Sequence, residues 1–317
     1  MRIHIVSGFL GAGKTTLINK WLPFIEGKVC LIENEFGDIS VDGRLFPNHL
    51  QVKEIYAGCI CCNLVGSFRE GIKEIYEIHK PDHLIIEPSG VGALSEVLKV
   101  CHGVVKEYPQ VMTIGNVYTI VDATAFREYA DNFGAFYLDQ VKSASMVLFS
   151  YSNQVEEILL NQIHNRIKTL NQRAHIVTED WLIMEDFVFE TYMNLEHEKR
   201  INPLDKKTVS VEGILKSFSI GNPRVFTAES FEKVFSDLDD VSNGSLIRAK
   251  GVVRLSTGEC AHFDYTPFHK EWRIMRSQVK PGIAFIGKRI DEGILRKKFS
   301  KRMFIKSSKG DLINEIG

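Results

Sequence analysis

The chain has 317 residues, a formal net charge of -1 and six cysteines. That length admits two domains, and the balanced, interspersed charge gives no electrostatic grip on nucleic acid or on an anionic membrane. No apolar run approaches the ~18 residues that a bilayer span needs, and a strand begins by residue 2, which leaves no room for a signal peptide, so the expected location is cytoplasmic.

Arg2-Ile3-His4-Ile5-Val6 is a short β-rich apolar run, and Ser7-Gly8-Phe9-Leu10-Gly11-Ala12-Gly13-Lys14-Thr15-Thr16 follows it. The second stretch has the form G-x-x-x-x-G-K-[ST], with Gly8, Gly13, Lys14 and Thr15 in the fixed places. Leu17-Ile18-Asn19-Lys20-Trp21-Leu22 then has helical spacing, so the motif lies between a strand and a helix. Glycines let the backbone turn with its N–H groups inward and leave room for phosphates. The helix start adds N–H donors and a positive dipole end. The backbone from Gly11 through Ala12 and Gly13 to Thr16 is expected to hold a nucleoside triphosphate. Lys14 would reach its β- and γ-phosphates, and the Thr15 hydroxyl would ligate Mg²⁺.

Residues 28–33 read as a buried parallel strand. They run into Asn34-Glu35-Phe36-Gly37-Asp38-Ile39-Ser40-Val41-Asp42-Gly43, an acidic, glycine-punctuated stretch where a switch loop would fall. Asp38 and Asp42 are its candidates for sensing Mg²⁺ or the attacking water, and an ordinary acidic turn is the other reading.

After a weak strand at 51–56 comes Ala57-Gly58-Cys59-Ile60-Cys61-Cys62-Asn63. Three soft sulfurs, Cys59, Cys61 and Cys62, within four positions suit one thiophilic ion, and Zn²⁺ would draw a fourth ligand from elsewhere or from water. Glu35 is the candidate for that place. Such an incomplete shell suits a site that gives up its metal. Buried inert thiols and a redox cluster remain alternatives. Three cysteines this close are no disulfide framework.

Leu64–His79 is an amphipathic helix, with Leu64, Phe68, Ile72, Ile75 and Ile78 on one face and Pro81 as its stop. His83-Leu84-Ile85-Ile86-Glu87 is an apolar strand ending in an acid. Placed after a P-loop, Glu87 is expected to meet the Mg²⁺ shell, with Ser89-Gly90 supplying a backbone N–H near the γ-phosphate. Further strands read at 117–122, 145–149 and 174–177, with helices between them that include 91–100 and 154–170. This alternation predicts an α/β fold, a mostly parallel sheet with helices on both faces.

The expected domains are 1–182, a linker at 183–208 where the pattern dissolves, and 209–317. In the last, strands at 209–220, 248–255, 259–265, 269–276 and 282–286, with helices at 228–238 and 291–299, predict a smaller α+β domain with an antiparallel sheet. It carries no catalytic constellation. Cys260 and His262 alternate on one strand face and read as packing, since two ligands fall short of a metal shell.

Together these stretches resemble the CobW-type GTPases, related to the nickel-insertion GTPases of hydrogenase and urease maturation. The resemblance rests on Gly8 to Thr16, Asn34-Glu35-Phe36-Gly37 with Asp42, Gly58-Cys59-Ile60-Cys61-Cys62, Glu87-Pro88-Ser89-Gly90 and Val121-Asp122-Ala123. Leu246-Ile247-Arg248-Ala249-Lys250-Gly251 and Phe285-Ile286-Gly287-Lys288 resemble the family's C-terminal domain, so the likeness covers nearly the whole chain. It implies GTP hydrolysis coupled to carrying Zn²⁺ or Co²⁺ to a metalloprotein client, with a C-terminal domain for client recognition or homodimerisation. The rival is a metal-binding or metal-sensing protein with a degenerate nucleotide site.

One departure stands out. Where the family carries N-K-x-D or T-K-x-D for guanine, this chain has Ser150-Tyr151-Ser152-Asn153. An aspartate accepts from guanine N1–H and N2–H together, whereas Asn153 offers one carbonyl oxygen and an NH₂ that faces a donor. Each mismatched buried hydrogen bond costs on the order of 1–3 kcal/mol. The expectation is a relaxed guanine preference.

Overall fold

The structure, a computed structural model, describes residues 1–36, 51–57, 64–195, 215–275 and 279–300, and within these leaves the side chains of 34–36, 51–57, 64–67 and 241 undescribed. The expected switch residues Asp38 and Asp42 and the three metal candidates Cys59, Cys61 and Cys62 lie outside the described residues, as does the side chain of Glu35. The chain divides into two compact units.

The first unit is built on seven parallel strands: β1 (Arg2–Gly8), β2 (Val29–Phe36), β3 (Gln51–Ala57), β4 (His83–Glu87), β5 (Thr113–Asp122), β6 (Met146–Ser150) and β7 (His175–Val177). Their order is β3-β2-β4-β1-β5-β6-β7. The near-continuous apolar runs follow from burial on both faces. Ile3, Ile5, Ile32, Leu84 and Ile86 join one core with Ile72, Leu94 and Leu98. Val6, Leu31, Ile85, Tyr118 and Leu148 join the other with Leu17, Trp21 and Phe189.

The helices of this unit are α1 (Lys14–Trp21), α2 (Leu64–His79), α3 (Leu94–Glu107), α4 (Phe126–Lys142), α5 (Glu157–Leu170) and α6 (Asp186–Asn194). Two start later than the sequence pattern suggests. Helix α3 begins at Leu94, three residues beyond the expected 91, because the Gly92 N–H closes a turn on the Ser89 carbonyl at 2.9 Å. Helix α5 begins at Glu157 because Ser152–Gln154 forms a 3-10 turn first. Helix α6 falls in the stretch read as linker, and its Phe189 and Met193 are 1% exposed in the first unit's core. Helix α4 is interrupted at Gly134, whose φ of 35° and ψ of -105° are non-helical.

The second unit carries an antiparallel sheet of β8 (Lys216–Ile220), β9 (Leu246–Arg254), β10 (Cys260–Tyr265), β11 (Lys270–Met275) and β12 (Gly282–Gly287), in the order β11-β10-β9-β12-β8. Helices α7 (Ala228–Ser236) and α8 (Glu292–Phe299) pack Phe231, Phe235, Leu295 and Phe299 with Val253, Phe263 and Phe285 of the sheet. Thr227 and Asp291 cap these helices by accepting the N–H groups of Ser230 and Ile294. Cys260 and His262 are both buried, and the Cys260 Sγ lies 3.7 Å from the Val279 carbonyl. Among the described residues no group of three or more His, Cys, Asp or Glu is arranged to hold a metal ion. No described helix is long and apolar enough to cross a membrane.

Candidate functional site

The site forms at the carboxyl edge of the parallel sheet, where open α/β sheets bind ligands. Strand β1 ends at Gly8, and the loop returns through Gly11 and Gly13 at φ 76° and 104° to enter α1. Gly13 is the N-cap residue, and its left-handed conformation suits glycine alone among common residues. No side chain caps α1, and its first helical bond runs from the Leu17 N–H to the Gly13 carbonyl at 2.9 Å. The N–H groups of residues 14–16 therefore precede intrahelical bonding and are available in a cluster for an anion. Ala12, 1% exposed, closes the preceding turn with its N–H on the Phe9 carbonyl at 3.2 Å, and Thr16 is exposed in the first turn of α1.

Lys14 is only 6% exposed, and its Nζ lies 3.4 Å from the Phe9 carbonyl, folded back over the loop it would complete. Thr15 points the other way. Its hydroxyl donates to both carboxylate oxygens of Glu87, at 3.1 and 3.2 Å. Glu87 is the last residue of β4 and is 5% exposed.

Beside it lies a residue that the sequence reading passed over. Glu33 of β2 is the register partner of Glu87 and is 2% exposed. Adjacent strands run about 4.8 Å apart, so two buried carboxylates sit side by side at the mouth of the phosphate loop, with Lys14 as the loop's own cation. A group of this composition fits a divalent ion, which would balance the excess negative charge and take the place of the Thr15–Glu87 hydrogen bond. The signal was present in the sequence: Glu33 closes the apolar run of β2, as Glu87 closes that of β4.

The expected base-reading stretch leaves the same edge. Ser150 ends β6, Tyr151 turns through φ 54°, and Ser152 starts the 3-10 turn that the Gln154 N–H closes on the Tyr151 carbonyl at 3.0 Å. Asn153 is exposed on that turn, whereas Ser150 and Ser152 are buried. Strands β6 and β7 pair in register from Met146↔His175 to Leu148↔Val177, so residues 150–153 leave the sheet beside residues 178–181. Trp181, 1% exposed, ends this neighbouring segment, and its Cζ2 lies 3.6 Å from where a Cβ on Gly13 would sit. Lys20 of α1 fixes the turn beyond it by donating to the Leu182 and Met184 carbonyls at 3.0 and 3.2 Å. Asp122 is occupied locally, accepting from the N–H and hydroxyl of Thr124 at 2.9 and 2.6 Å.

A separate cavity of about 270 Å³ lies at the opposite edge of the sheet, lined by Arg2, His4, Trp21, His83, Asn116 and Met193 among others. Its buried His4 has a pKa pushed down to about 3 by burial, then by His83 and Arg2. None of the phosphate-loop residues reaches it.

Residues 2–178 match the CobW/HypB/UreG nucleotide-binding domain, and residues 215–302 match the cobalamin synthesis protein CobW C-terminal domain. The zinc chaperone CobW of a Sinorhizobium species is 32% identical over 173 residues, 50% of this chain and 47% of that protein. The zinc-regulated GTPase metalloprotein activator 1 of Dictyostelium discoideum is 24% identical over 297 residues, covering 78% of this chain and 62% of that one. Among solved structures, Zn(II)-bound YjiA GTPase from E. coli aligns with 22% identity and a TM-score of 0.44, over 94% of this chain and 97% of that one. The chain spans about half the length of the first curated relatives it matches.

Proposed function

The chain belongs to the CobW/HypB/UreG family, and from that premise we propose that it is a metallochaperone that binds and hydrolyses a nucleoside triphosphate. In this reading it carries Zn²⁺ or Co²⁺ at Cys59, Cys61 and Cys62 and passes the ion to a metalloprotein client. The observation that carries the nucleotide half is the Thr15–Glu87 contact at the end of the phosphate loop, with Glu33 alongside. The metal half rests on the C-x-C-C spacing and on the zinc chaperones among the relatives.

The geometry supports the following roles. Gly8, Gly11, Ala12 and Gly13 shape the loop, and the N–H groups of Lys14, Thr15 and Thr16 face the phosphates at the dipole end of α1. Lys14 swings from the Phe9 carbonyl to the β- and γ-phosphates, exchanging a neutral acceptor for an anionic one. Thr15 and Glu87 would hold Mg²⁺, directly or through water. That ion supplies neutralisation of the charge gathered on the γ-phosphoryl group during transfer to water. Catalysis is then mainly positioning and electrostatics. Asn153, exposed beside the segment that ends in Trp181, contacts the base and gives a relaxed preference for guanine. Residues 209–317 would serve client recognition or pairing with a second copy.

Phosphate release tests the reading. Wild type supplied with Mg²⁺, Zn²⁺ and GTP or ATP should turn over, and Lys14→Ala should not. Equal inertness of both proteins would favour the second reading, a metal-binding or metal-sensing protein whose nucleotide site has degenerated. The specific observation in favour of that rival is the altered stretch Ser150-Tyr151-Ser152-Asn153.

A further inference from the structure

Helix α4 holds the loop that follows Glu87. Gln140, in its last turn, is 1% exposed. Its Nε2 donates to two carbonyls of that loop, Gly90 at 3.1 Å and Gly92 at 3.0 Å. Its own backbone carbonyl accepts the Thr119 hydroxyl at 2.8 Å, tying this turn of α4 to β5. The preceding residue, Asp139, accepts the Ser95 N–H at 3.0 Å and so caps α3, whose own N-cap residue Ala93 has no side chain for the purpose. Two consecutive residues of α4 thus grip residues 90–95 at three points.

On its other side the same loop is pressed against the phosphate loop. A Cβ on Gly90 would lie 2.8 Å from the Leu10 nitrogen, closer than side chains come to backbone, and 3.0 Å from the Phe9 carbonyl carbon. Phe9 is in turn enclosed by α4, with Tyr129, Phe133, Phe136 and Tyr137 at ring-centre distances of 4.4 to 6.0 Å. The arrangement is a vice: Gly90, three residues after Glu87, is held between the phosphate loop and a buried carboxamide. The Gln140 Oε1 is buried and makes no hydrogen bond among the described residues. Only the donor end of the side chain is used, and both of its hydrogens go to one loop.

We propose that Gln140 is a positioning residue for the γ-phosphate: by holding the Gly90 and Gly92 carbonyls it sets the orientation of the Ser89-Gly90-Val91 peptides beside the triphosphate, and so sets the preference for triphosphate over diphosphate. The proposal rests on the nucleotide-hydrolysing reading above. It assigns regulation of that site to an element that touches no nucleotide. A diphosphate leaves the γ-phosphate position empty, so its affinity depends on the phosphate loop and not on this vice.

The test uses the full chain with Gln140→Met, which keeps the volume and removes both donors. Binding of GDP and GTPγS, and of ADP and ATPγS, is titrated with Mg²⁺, and phosphate release is measured alongside. Loss of two hydrogen bonds should raise the Kd of the triphosphate analogue about tenfold and lower kcat by at least as much, leaving the diphosphate Kd within about twofold. Asp139→Ala, at a half-buried position, provides a second variant should the first fail to fold, and should show about a threefold change of the same sign through loss of the α3 cap. Equal weakening of di- and triphosphate, or no change in either, overturns the proposal while leaving the hydrolase reading intact. A wild type that binds neither series, and matches Lys14→Ala, overturns both.

Discussion

Thr15 and Glu87, 72 residues apart in sequence, meet through one hydroxyl that donates to both oxygens of one carboxylate, at 3.1 and 3.2 Å. The register partner Glu33 adds a second buried carboxylate. Removing either charge should act oppositely on the empty and the loaded protein. Like charges a few ångströms apart repel, so Glu33→Gln should raise the melting temperature of nucleotide-free protein by about 2–4 °C, equivalent to ~1 kcal/mol in a protein of this size. With Mg²⁺ and nucleotide the order should reverse, and Glu87→Gln should lower hydrolysis about a hundredfold. Differential scanning fluorimetry with and without Mg²⁺-nucleotide reads the first effect, and phosphate release the second. A Glu33→Gln protein that melts lower in both states would refute the charge argument.

The proposed base contact can be tested at one exposed residue, Asn153. Asn153→Asp restores two acceptors toward guanine N1–H and N2–H without disturbing packing, since the side chain already faces solvent on its 3-10 turn. The expected gain in GTP affinity is about tenfold, one buried hydrogen bond recovered, with ATP affinity unchanged or reduced. Calorimetric titration of both nucleotides decides it. An unaltered ratio would mean that residues 150–153 do not contact the base.

The thiolate loop makes a stoichiometric prediction. Freshly isolated protein should hold about one Zn²⁺ or Co²⁺ per chain, and Cys61→Ser with Cys62→Ser should abolish tight binding, because two of three soft ligands are gone. Metal content by elemental analysis after exhaustive dialysis is the measurement. Undiminished content in the double variant would place the cargo elsewhere in the chain.

At the other edge of the sheet, stability should depend on pH through a histidine pair. His4 is 3% exposed, its Nδ1 accepts the Asn116 N–H at 3.3 Å, and its Nε2 lies 3.0 Å from the His83 Nδ1. That geometry assigns the His4 proton to Nε2 and keeps both rings neutral. Burial, His83 and Arg2 push the His4 pKa from 6.5 down to about 3, and burial followed by Arg2 lowers that of His83. Because the folded value is depressed, the unfolded chain takes up the proton first. The contribution is intact above pH 6.5 and is lost progressively as pH falls toward 3, at about 1.4 kcal/mol per unit. Between pH 6.5 and pH 5, urea denaturation should show wild type losing about 2 kcal/mol more than His4→Asn. Equal losses would show that His4 is not the group concerned.

Much of this was legible in the chain because its two kinds of information coincide. The apolar runs that became β1, β4 and β6 are buried on both faces, so hydrophobicity alone located them, and the glycine and lysine places of the phosphate loop followed from phosphate chemistry. Residues that act through tertiary contact were not legible. Gln140 looks like any polar residue near the end of a helix, and only folding brings it to Gly90 and Gly92. Helix α6 was read as linker because its exposed side is acidic and includes Phe187 at 72% exposure, while the Phe189 and Met193 that anchor it are two apolar residues in a mixed stretch. Glu33 was missed for a different reason. Its carboxylate is followed by two more acidic candidates, Glu35 and Asp38, and only the pairing of β2 with β4 sets Glu33 apart by placing it opposite Glu87.

The indole of Trp181 lies within van der Waals reach of the space above Gly13 and is shielded from water. The chain's other tryptophans, Trp21 and Trp272, are in α1 and β11. With those two replaced by phenylalanine, the remaining emission would come from a chromophore seated on the turn proposed to receive the phosphates. Arrival and departure of nucleotide then become optical events, timed in stopped flow without any attached dye.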